Sequence, residues 1–222
     1  MTTAIETQSK TPLRYTAMDG YMDARILGAI LAGGRSTRMN GLNKGLLERA
    51  PGTTAVEYLA DEMREAGLEK SVISVNDETR YAELKIPTIP DLRPGLGPLA
   101  GVEAVLDYII KEDRADAALF LPCDMPAITR SEIRALLDAF KERSAVVVTA
   151  LIRTERDKRY PICCVVHREA LPRVSTALDE ERLKVGQLWT DLKARDVVFY
   201  DAKPFANINT PEEYESFRKR GI

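Results

Sequence analysis

The feature that most constrains this fold is a buried strand pattern that opens into a glycine-rich, basic loop. The apolar run over residues 26–31 predicts a buried first strand, and Gly33 and Gly34 follow it closely. Adjacent glycines allow a backbone to turn sharply and to approach a ligand. The pattern therefore predicts a ligand site at the end of the first strand.

The same loop suits a phosphate chain. Arg35, Arg38 and Lys44 supply positive charge, and no acidic residue occurs over residues 28–47. Free backbone N–H groups and unopposed cations attract phosphates. The loop matches neither G-x-x-x-x-G-K-[ST] nor G-x-G-x-x-G, because Lys44 precedes Gly45 and the first two glycines are adjacent. We predict a nucleoside triphosphate site, with a plain strand-to-helix turn and solvated arginines as the alternative.

Length and charge limit the classes of protein to consider. A chain of 222 residues suits one α/β domain, which we expect over residues 24–222 after a poorly ordered polar extension, residues 1–23. The formal net charge of −2 argues against a nucleic-acid-binding surface, which usually needs a basic stripe. No run has the length of a membrane span, and no signal peptide is evident.

The three cysteines do not form a convincing disulfide framework, which indicates a reducing, cytoplasmic location. A zinc site made of Cys163, Cys164 and His167 would lack the usual ligand spacing. We therefore expect Cys163 and Cys164 to be small core residues.

Strand and helix patterns alternate along the chain, which predicts a three-layer α/β/α fold around a mainly parallel, Rossmann-like sheet. The predicted strands, taken as buried on both faces, cover residues 26–31, 72–75, 117–121, 145–150, 162–166 and 197–200. The predicted helices lie near residues 54–66, 99–110, 131–143, 185–192 and 211–218.

Ligands of such sheets bind beyond the carboxyl ends of the strands, so polar residues at those positions are candidates. Asp124 follows the strand at 117–121 and lies between Pro122 and Pro126. One carboxylate together with substrate phosphates is a common environment for Mg²⁺. We favour Asp124 as a Mg²⁺ ligand over an Asp that caps the next helix.

Three further residues are candidates for nucleotide binding. Asn76 and Asp91 also follow apolar stretches and could hydrogen-bond a base or a sugar. Gly97 opens a helix whose first N–H groups could face a ligand. Each of these residues is also common in ordinary turns or helix entries.

The end of the chain offers candidates for a second substrate. Asn207 and Asn209 precede a helix and could hold it with their amides, although Asn is frequent at this position. His167, beside Arg168 and Glu169, is expected at the surface rather than in a catalytic role. No nucleophile–histidine pair indicates covalent catalysis.

Together, these motifs resemble the molybdenum cofactor guanylyltransferase family of nucleotidyltransferases. The resemblance extends from Gly28 to the C-terminus and implies a fold of the nucleotide-diphospho-sugar transferase type. The matching segments are Leu31-Ala32-Gly33-Gly34 with Arg38-Met39, Lys44-Gly45-Leu46, Gly97-Pro98-Leu99-Ala100-Gly101, Cys123-Asp124-Met125-Pro126 and Asn207-Ile208-Asn209-Thr210-Pro211-Glu212-Glu213.

The resemblance implies roles for individual residues. The backbone of residues 31–33 (Leu31, Ala32 and Gly33) would contact the nucleotide, and Lys44 its phosphates. Asp91 would bind the guanine nucleotide, and Asp124 both the nucleotide and Mg²⁺.

Two positions depart from the family pattern. Asn43 replaces the common Asp before the lysine, and Ser74 replaces an Asn of some members, although Asn76 is nearby.

The expected reaction transfers GMP from GTP to molybdopterin that carries molybdenum, giving the guanine dinucleotide cofactor and pyrophosphate. Arg38 and Lys44 would steady the charge on the leaving group. Expected partners are GTP, molybdopterin, other molybdenum cofactor biosynthesis proteins or recipient molybdoenzymes. The alternatives are a cytidylyltransferase, a sugar-phosphate nucleotidyltransferase or a non-catalytic nucleotide- or cofactor-binding module.

Overall fold

A computed structural model describes residues 23–33, 42–142 and 145–219. The strands are β1 Ile26–Leu31, β2 Glu48–Ala50, β3 Thr53–Thr54, β4 Ser71–Val75, β5 Thr88–Pro90, β6 Ala117–Pro122, β7 Val147–Ile152, β8 Lys158–His167 and β9 Arg195–Phe199. The α-helices are α1 Ala55–Glu65, α2 Pro98–Lys111, α3 Arg130–Glu142, α4 Leu171–Asp179, α5 Val185–Asp191 and α6 Pro211–Lys219. Short 3₁₀ turns cover Lys44–Leu46, Glu78–Tyr81, Arg168–Ala170 and Lys203–Phe205.

Within the described residues, the central sheet has seven strands in the order β5-β4-β1-β6-β8-β7-β9. Strands β5, β4, β1 and β6 are mutually parallel, β8 is antiparallel to both β6 and β7, and β9 is parallel to β7. The predicted mainly parallel sheet is thus confirmed, with β8 reversed. Strands β2 and β3 form a separate hairpin.

Successive side chains of the central strands point to opposite faces of the sheet, and the core therefore consists of two hydrophobic clusters. In β6, Leu119 and Leu121 pack in the cluster that contains α1 and α3, whereas Phe120 packs in the cluster that contains α2, α4 and α5. Cys163 and Cys164 point into opposite clusters in the same way, and both are buried. This alternation is expected for strands covered on both faces, and it confirms the predicted three layers.

The structure corrects the predicted burial of the last strand. β9 is an edge strand that pairs only with β7 among the described residues, so Val198 is 37% exposed and Tyr200, just beyond the strand, is 83% exposed. Sequence patterns also missed α4 and the β2–β3 hairpin. None of the described helices is both long and apolar enough to cross a membrane.

The strand register places the candidate residues at one edge of the sheet. Leu31 at the end of β1 is paired with Ser74 of β4 and with Pro122 of β6. Val75 is in turn paired with Pro90 at the end of β5. The segments that follow these strands therefore meet at the carboxyl edge.

Candidate active site

A cavity of about 400 Å³ opens at the carboxyl edge of the parallel strands. Most of the residues predicted to bind a nucleotide line it: Leu31, Ala32, Gly33, Lys44, Asn76, Asp91, Gly97 and Asp124. Arg38 and Gly34 were also predicted, but they lie outside the described residues. The cavity has two chemically different ends.

One end of the cavity, the Lys44 end, is lined by Lys44 and Asp124, and Asn207 and Asn209 contact these two residues. The Lys44 Nζ atom lies 2.8 Å from Asn209 Oδ1 and 3.4 Å from Asp124 Oδ2. Asn207 Nδ2 donates to the other carboxylate oxygen of Asp124 at 3.1 Å. The side chains of Lys44 and Asp124 are 18% and 20% exposed, so the pair is largely shielded from water. Neither asparagine lines the cavity, but each contacts a residue that does.

Local hydrogen bonds hold this end in place. The backbone N–H of Ile208 donates to the carbonyl of Asp124 at 2.8 Å, which ties the last segment of the chain to the end of β6. Glu213 accepts from the backbone N–H groups of Asn209 and Thr210, and Thr210 caps α6 in return. The capping box that starts α6 therefore also fixes Asn209 beside Lys44.

The carboxylate of Asp124 does not cap the following helix. It faces Lys44 and Asn207, whereas Thr129 and Glu132 form the hydrogen bonds at the start of α3. This geometry removes the main alternative interpretation of Asp124.

The other end, the Asp91 end, consists of Gly33, Ser74, Asn76 and Asp91. Ser74 Oγ donates to Asp91 Oδ1 at 3.1 Å, and Asn76 Nδ2 donates to the carbonyl of Gly33. Burial raises the pKa of the Asp91 carboxyl, and the hydrogen bond from Ser74 partly opposes this effect. Among the described residues, no lysine or arginine forms an ion pair with Asp91.

Two glycines let α2 approach this end. Gly97 has φ of 77° before the first residue of α2, a conformation that favours glycine. A Cβ atom at Gly101 would lie 2.4 Å from Ser74 Oγ and 3.0 Å from Leu31 Cδ2. Any side chain at position 101 would therefore displace the hydroxyl that contacts Asp91.

The family model described as a MobA-like NTP transferase domain matches residues 28–192. A molybdenum cofactor guanylyltransferase from Polynucleobacter asymbioticus is 31% identical over 195 residues, covering 85% of this chain and 93% of the relative. The chain belongs to the molybdenum cofactor guanylyltransferase family.

Solved structures share the fold of this guanylyltransferase-family chain. The molybdopterin-guanine dinucleotide biosynthesis protein A from Archaeoglobus fulgidus has a TM-score of 0.69 at 18% identity, covering 88% of this chain and 98% of that protein. A CMP:2-keto-3-deoxy-manno-octonic acid synthetase complexed with CTP has a TM-score of 0.70 at 16% identity, covering 89% and 98%. These likenesses confirm the predicted nucleotide-diphospho-sugar transferase type of fold.

The donor set fits a hard divalent ion that is shared with a substrate. Among the described residues, no group of three or more His, Cys, Asp or Glu side chains could enclose a metal. Asp124 offers a carboxylate in the cavity wall beside Lys44, and each of its oxygens keeps lone pairs beyond the hydrogen bonds it accepts. An ion such as Mg²⁺, which takes one carboxylate together with phosphates, suits this arrangement.

His167 lies far from this chemistry. It pairs with Ala117 at the amino end of β6, so it lies at the opposite edge of the sheet, and it is 3% exposed. The predicted surface position is therefore wrong, because β8 carries the ring into the core, where it stacks against Phe140. Burial lowers the pKa of His167, and Nδ1 accepts from the backbone N–H of Glu169.

Sequence reasoning missed some of the residues that shape the guanylyltransferase-family site. The sequence points to Ser74 only as a departure from the family pattern and to Gly101 only as part of a motif, and nothing in it points to Tyr81. Ser74 is the residue before the last in the buried strand β4, and a polar residue at such a position is a signal that could have identified it as a site residue. The contact of Tyr81 with Asn43 spans 38 positions and gives no local pattern.

Proposed function

We propose that this protein transfers GMP from GTP to molybdopterin that carries molybdenum, giving the guanine dinucleotide cofactor and pyrophosphate. One observation carries the proposal: Lys44 and Asp124, 80 positions apart, meet at 3.4 Å in the wall of the cavity. A cation beside a possible metal ligand is the arrangement that phosphoryl transfer requires. Molybdopterin is proposed as the acceptor because the relatives are named for the molybdenum cofactor and for molybdopterin.

In the proposed reaction, an oxygen of the terminal phosphate of molybdopterin forms a bond to the α-phosphorus of GTP. The bond from that phosphorus to the oxygen of the β-phosphate breaks, and pyrophosphate leaves with the electron pair. A phosphate is already anionic near neutral pH, so the chain need not supply a general base. The main tasks of the protein are to position two anions and to neutralise their charge.

Lys44 and Arg38 are proposed to stabilise the charge that develops on the leaving pyrophosphate. For Lys44, the support is that it lines the cavity and that Asn209 and Asp124 hold its ammonium in place. The backbone of Leu31, Ala32, Gly33 and Gly34 is proposed to lie along the nucleotide. Asp124 would hold Mg²⁺, which when bound neutralises phosphate charge.

Asp91 is proposed to select the base. An ionised carboxylate accepts hydrogen bonds, and guanine presents the N1–H and N2–H₂ donors on one edge. Ser74 orients one oxygen of Asp91, and Asn76 and Gly97 line the same cavity. Cytosine does not offer two adjacent donors of this kind, so the carboxylate favours guanine.

Asn207 and Asn209 are proposed to lie next to the second substrate. The support is that they contact Lys44 and Asp124, the residues proposed to act on the phosphates. Other molybdenum cofactor biosynthesis proteins or recipient molybdoenzymes are proposed partners, and the cytoplasm is the proposed location.

The test is pyrophosphate release by the purified protein with GTP or CTP, in the presence and absence of molybdopterin. We expect release only with GTP and molybdopterin together, with discrimination between bases of up to about 10⁴-fold. Equal or faster release with CTP would instead identify a cytidylyltransferase. Tight GTP binding without any release would identify a non-catalytic binding module.

A further inference from the structure

We propose that Asn43 and Tyr81 form a positioning pair that directs Lys44 into the cavity. The inference rests on the proposed function, because that function assigns Lys44 to the phosphates. Neither residue carries the charge that acts on a substrate. Their effect would pass through the backbone on either side of Lys44.

The orientation of the Asn43 amide follows from its partners. The backbone N–H of Gly45 lies 3.1 Å from Asn43 Oδ1 and can only donate, so the atom that faces it must be the oxygen. The Tyr81 hydroxyl donates to the same oxygen at 2.7 Å. Asn43 is thereby the cap of the 3₁₀ turn Lys44–Leu46, and its own carbonyl accepts from the N–H of Leu46 at 3.0 Å.

Tyr81 connects this turn to a rigid part of the molecule. It is 2% exposed and ends the 3₁₀ turn Glu78–Tyr81, which follows β4. It packs in the hydrophobic cluster that includes Val56 and Leu59 of α1. Burial raises the pKa of the Tyr81 hydroxyl, so the group keeps its proton and remains a donor near neutral pH.

Gly45 is part of the same arrangement. A Cβ atom at this position would lie 2.6 Å from Tyr81 Oη and 2.9 Å from Val56 Cγ1. Only glycine lets the backbone approach Tyr81 closely enough for the hydroxyl to reach Asn43. Lys44 is therefore flanked by two residues that are both held against Tyr81.

Fixing the backbone in this way matters because the Lys44 side chain is long. Its Nζ atom must reach Asn209 and Asp124, which are separated from Lys44 by 165 and 80 positions in the sequence. A displacement of about 1 Å in a positioned catalytic group can lower a rate by about 10²-fold. We expect Asn43→Ala to lower kcat/KM for GTP by about ten- to hundredfold.

The test is a double-mutant cycle with Asn43→Ala, Lys44→Ala and the combined variant, measured as kcat/KM for GTP. If Asn43 acts through Lys44, Asn43→Ala should have less than a twofold effect once Lys44 is Ala. If Asn43→Ala is equally harmful in both backgrounds, the positioning pair is disproved. Gln187→Ala, which removes an exposed amide that bonds Asp191 of its own helix, is a matched control expected to match wild type.

Two further variants separate the cap from a direct contact with substrate. Asn43→Asp keeps an oxygen that accepts from Gly45 and Tyr81, so it should restore activity to within about threefold of wild type. If Asn43→Asp is as impaired as Asn43→Ala, the amide N–H itself binds the substrate and the proposal is wrong. Tyr81→Phe removes one of the two hydrogen bonds, and we expect an intermediate loss.

The wild-type protein distinguishes failure of this inference from failure of the proposed function. If wild type releases no pyrophosphate from GTP and molybdopterin, the proposed function fails. The same cycle can then be measured as the Kd for magnesium–GTP by calorimetry. If the two substitutions weaken nucleotide binding additively, the positioning pair is again disproved. If Asn43→Ala does not change the Kd once Lys44 is Ala, the pair is supported.

Discussion

The two ends of the cavity handle charge in opposite ways. At the Lys44 end, the carboxylate of Asp124 is balanced by an ammonium and an amide donor from distant parts of the chain. At the Asp91 end, the carboxylate receives a hydroxyl hydrogen bond, and burial raises its pKa. One end is built around a stable ion pair, and the other holds a carboxylate whose ionised form is disfavoured.

This difference indicates a division of labour. A paired cation and anion can receive a phosphate chain and its metal ion. When the site is empty, the pair leaves no buried charge without a partner. A partly buried carboxylate gains most from a ligand that donates hydrogen bonds to it. The Lys44 end should therefore control the rate of transfer, and the Asp91 end the choice of base.

The largest expected effect is that of Asp124→Ala. It removes the proposed metal ligand and leaves Lys44 without its carboxylate partner, so we expect kcat to fall by about 10³-fold or more. The measurement is pyrophosphate release over a range of Mg²⁺ concentrations. Full activity of this variant at limiting Mg²⁺ would show that Asp124 does not hold the metal, and the proposed difference between Asp124 and Asp91 would be wrong.

Lys44→Ala should lower kcat by about 10²–10³-fold, the scale of losing one preorganised donor to a developing charge. Single-turnover measurements of GMP transfer would test this. Lys70→Ala is the matched control, because Lys70 is exposed at the amino edge of β4 and should leave the rate unchanged. A normal rate in Lys44→Ala would show that the Lys44 end does not control transfer.

Asp91→Asn should reduce the preference for GTP over CTP by about ten- to hundredfold, with a smaller effect on kcat. The measurement is the ratio of kcat/KM for the two nucleotides. A preference equal to that of wild type would show that base selection lies elsewhere.

The same variant should be more stable than wild type near neutral pH. The pKa of Asp91 is raised above 3.8, so the folded state holds its proton to a higher pH than the unfolded state does. The free energy of unfolding therefore loses a contribution as pH rises above 3.8, and Asp91→Asn removes this loss. Melting temperatures at pH 4 and pH 7 would test the sign.

How much of this site could be predicted depended on whether the signal was local. Strands β1, β4 and β6 are nearly continuous apolar runs, so their carboxyl ends, and with them Asn76 and Asp124, were placed correctly from sequence. The contact of Lys44 with Asn209 was not predicted, because it joins residues 165 positions apart and depends on the path of the whole chain. The contact of Asn43 with Tyr81 is also non-local and left no pattern.

The errors in burial have a topological cause. Composition cannot tell a central strand from an edge strand, so β9 was predicted to be covered on both faces although it lies at the end of the sheet. His167 was placed at the surface because charged residues follow it. In the structure, β8 lies between β6 and β7, and its last residue is buried with them.

His167→Asn tests the contrast between the site and the scaffold, and it should have the smallest effect on activity. The ring is buried at the opposite edge of the sheet, so we expect pyrophosphate release at pH 7 to stay within about twofold of wild type.

Burial and the Arg168 charge lower the pKa of His167, whereas Glu169 and Asp116 oppose that shift. The unfolded chain therefore binds a proton more readily than the folded one below pH 6.5, and stability that is present above this pH is lost as it falls. Asn can still accept from the Glu169 N–H but does not titrate, so the variant's melting temperature should fall less between pH 7 and pH 5. An unchanged pH slope would show that His167 does not govern acid stability, and a tenfold loss of activity would show that the scaffold and the site are not separable here.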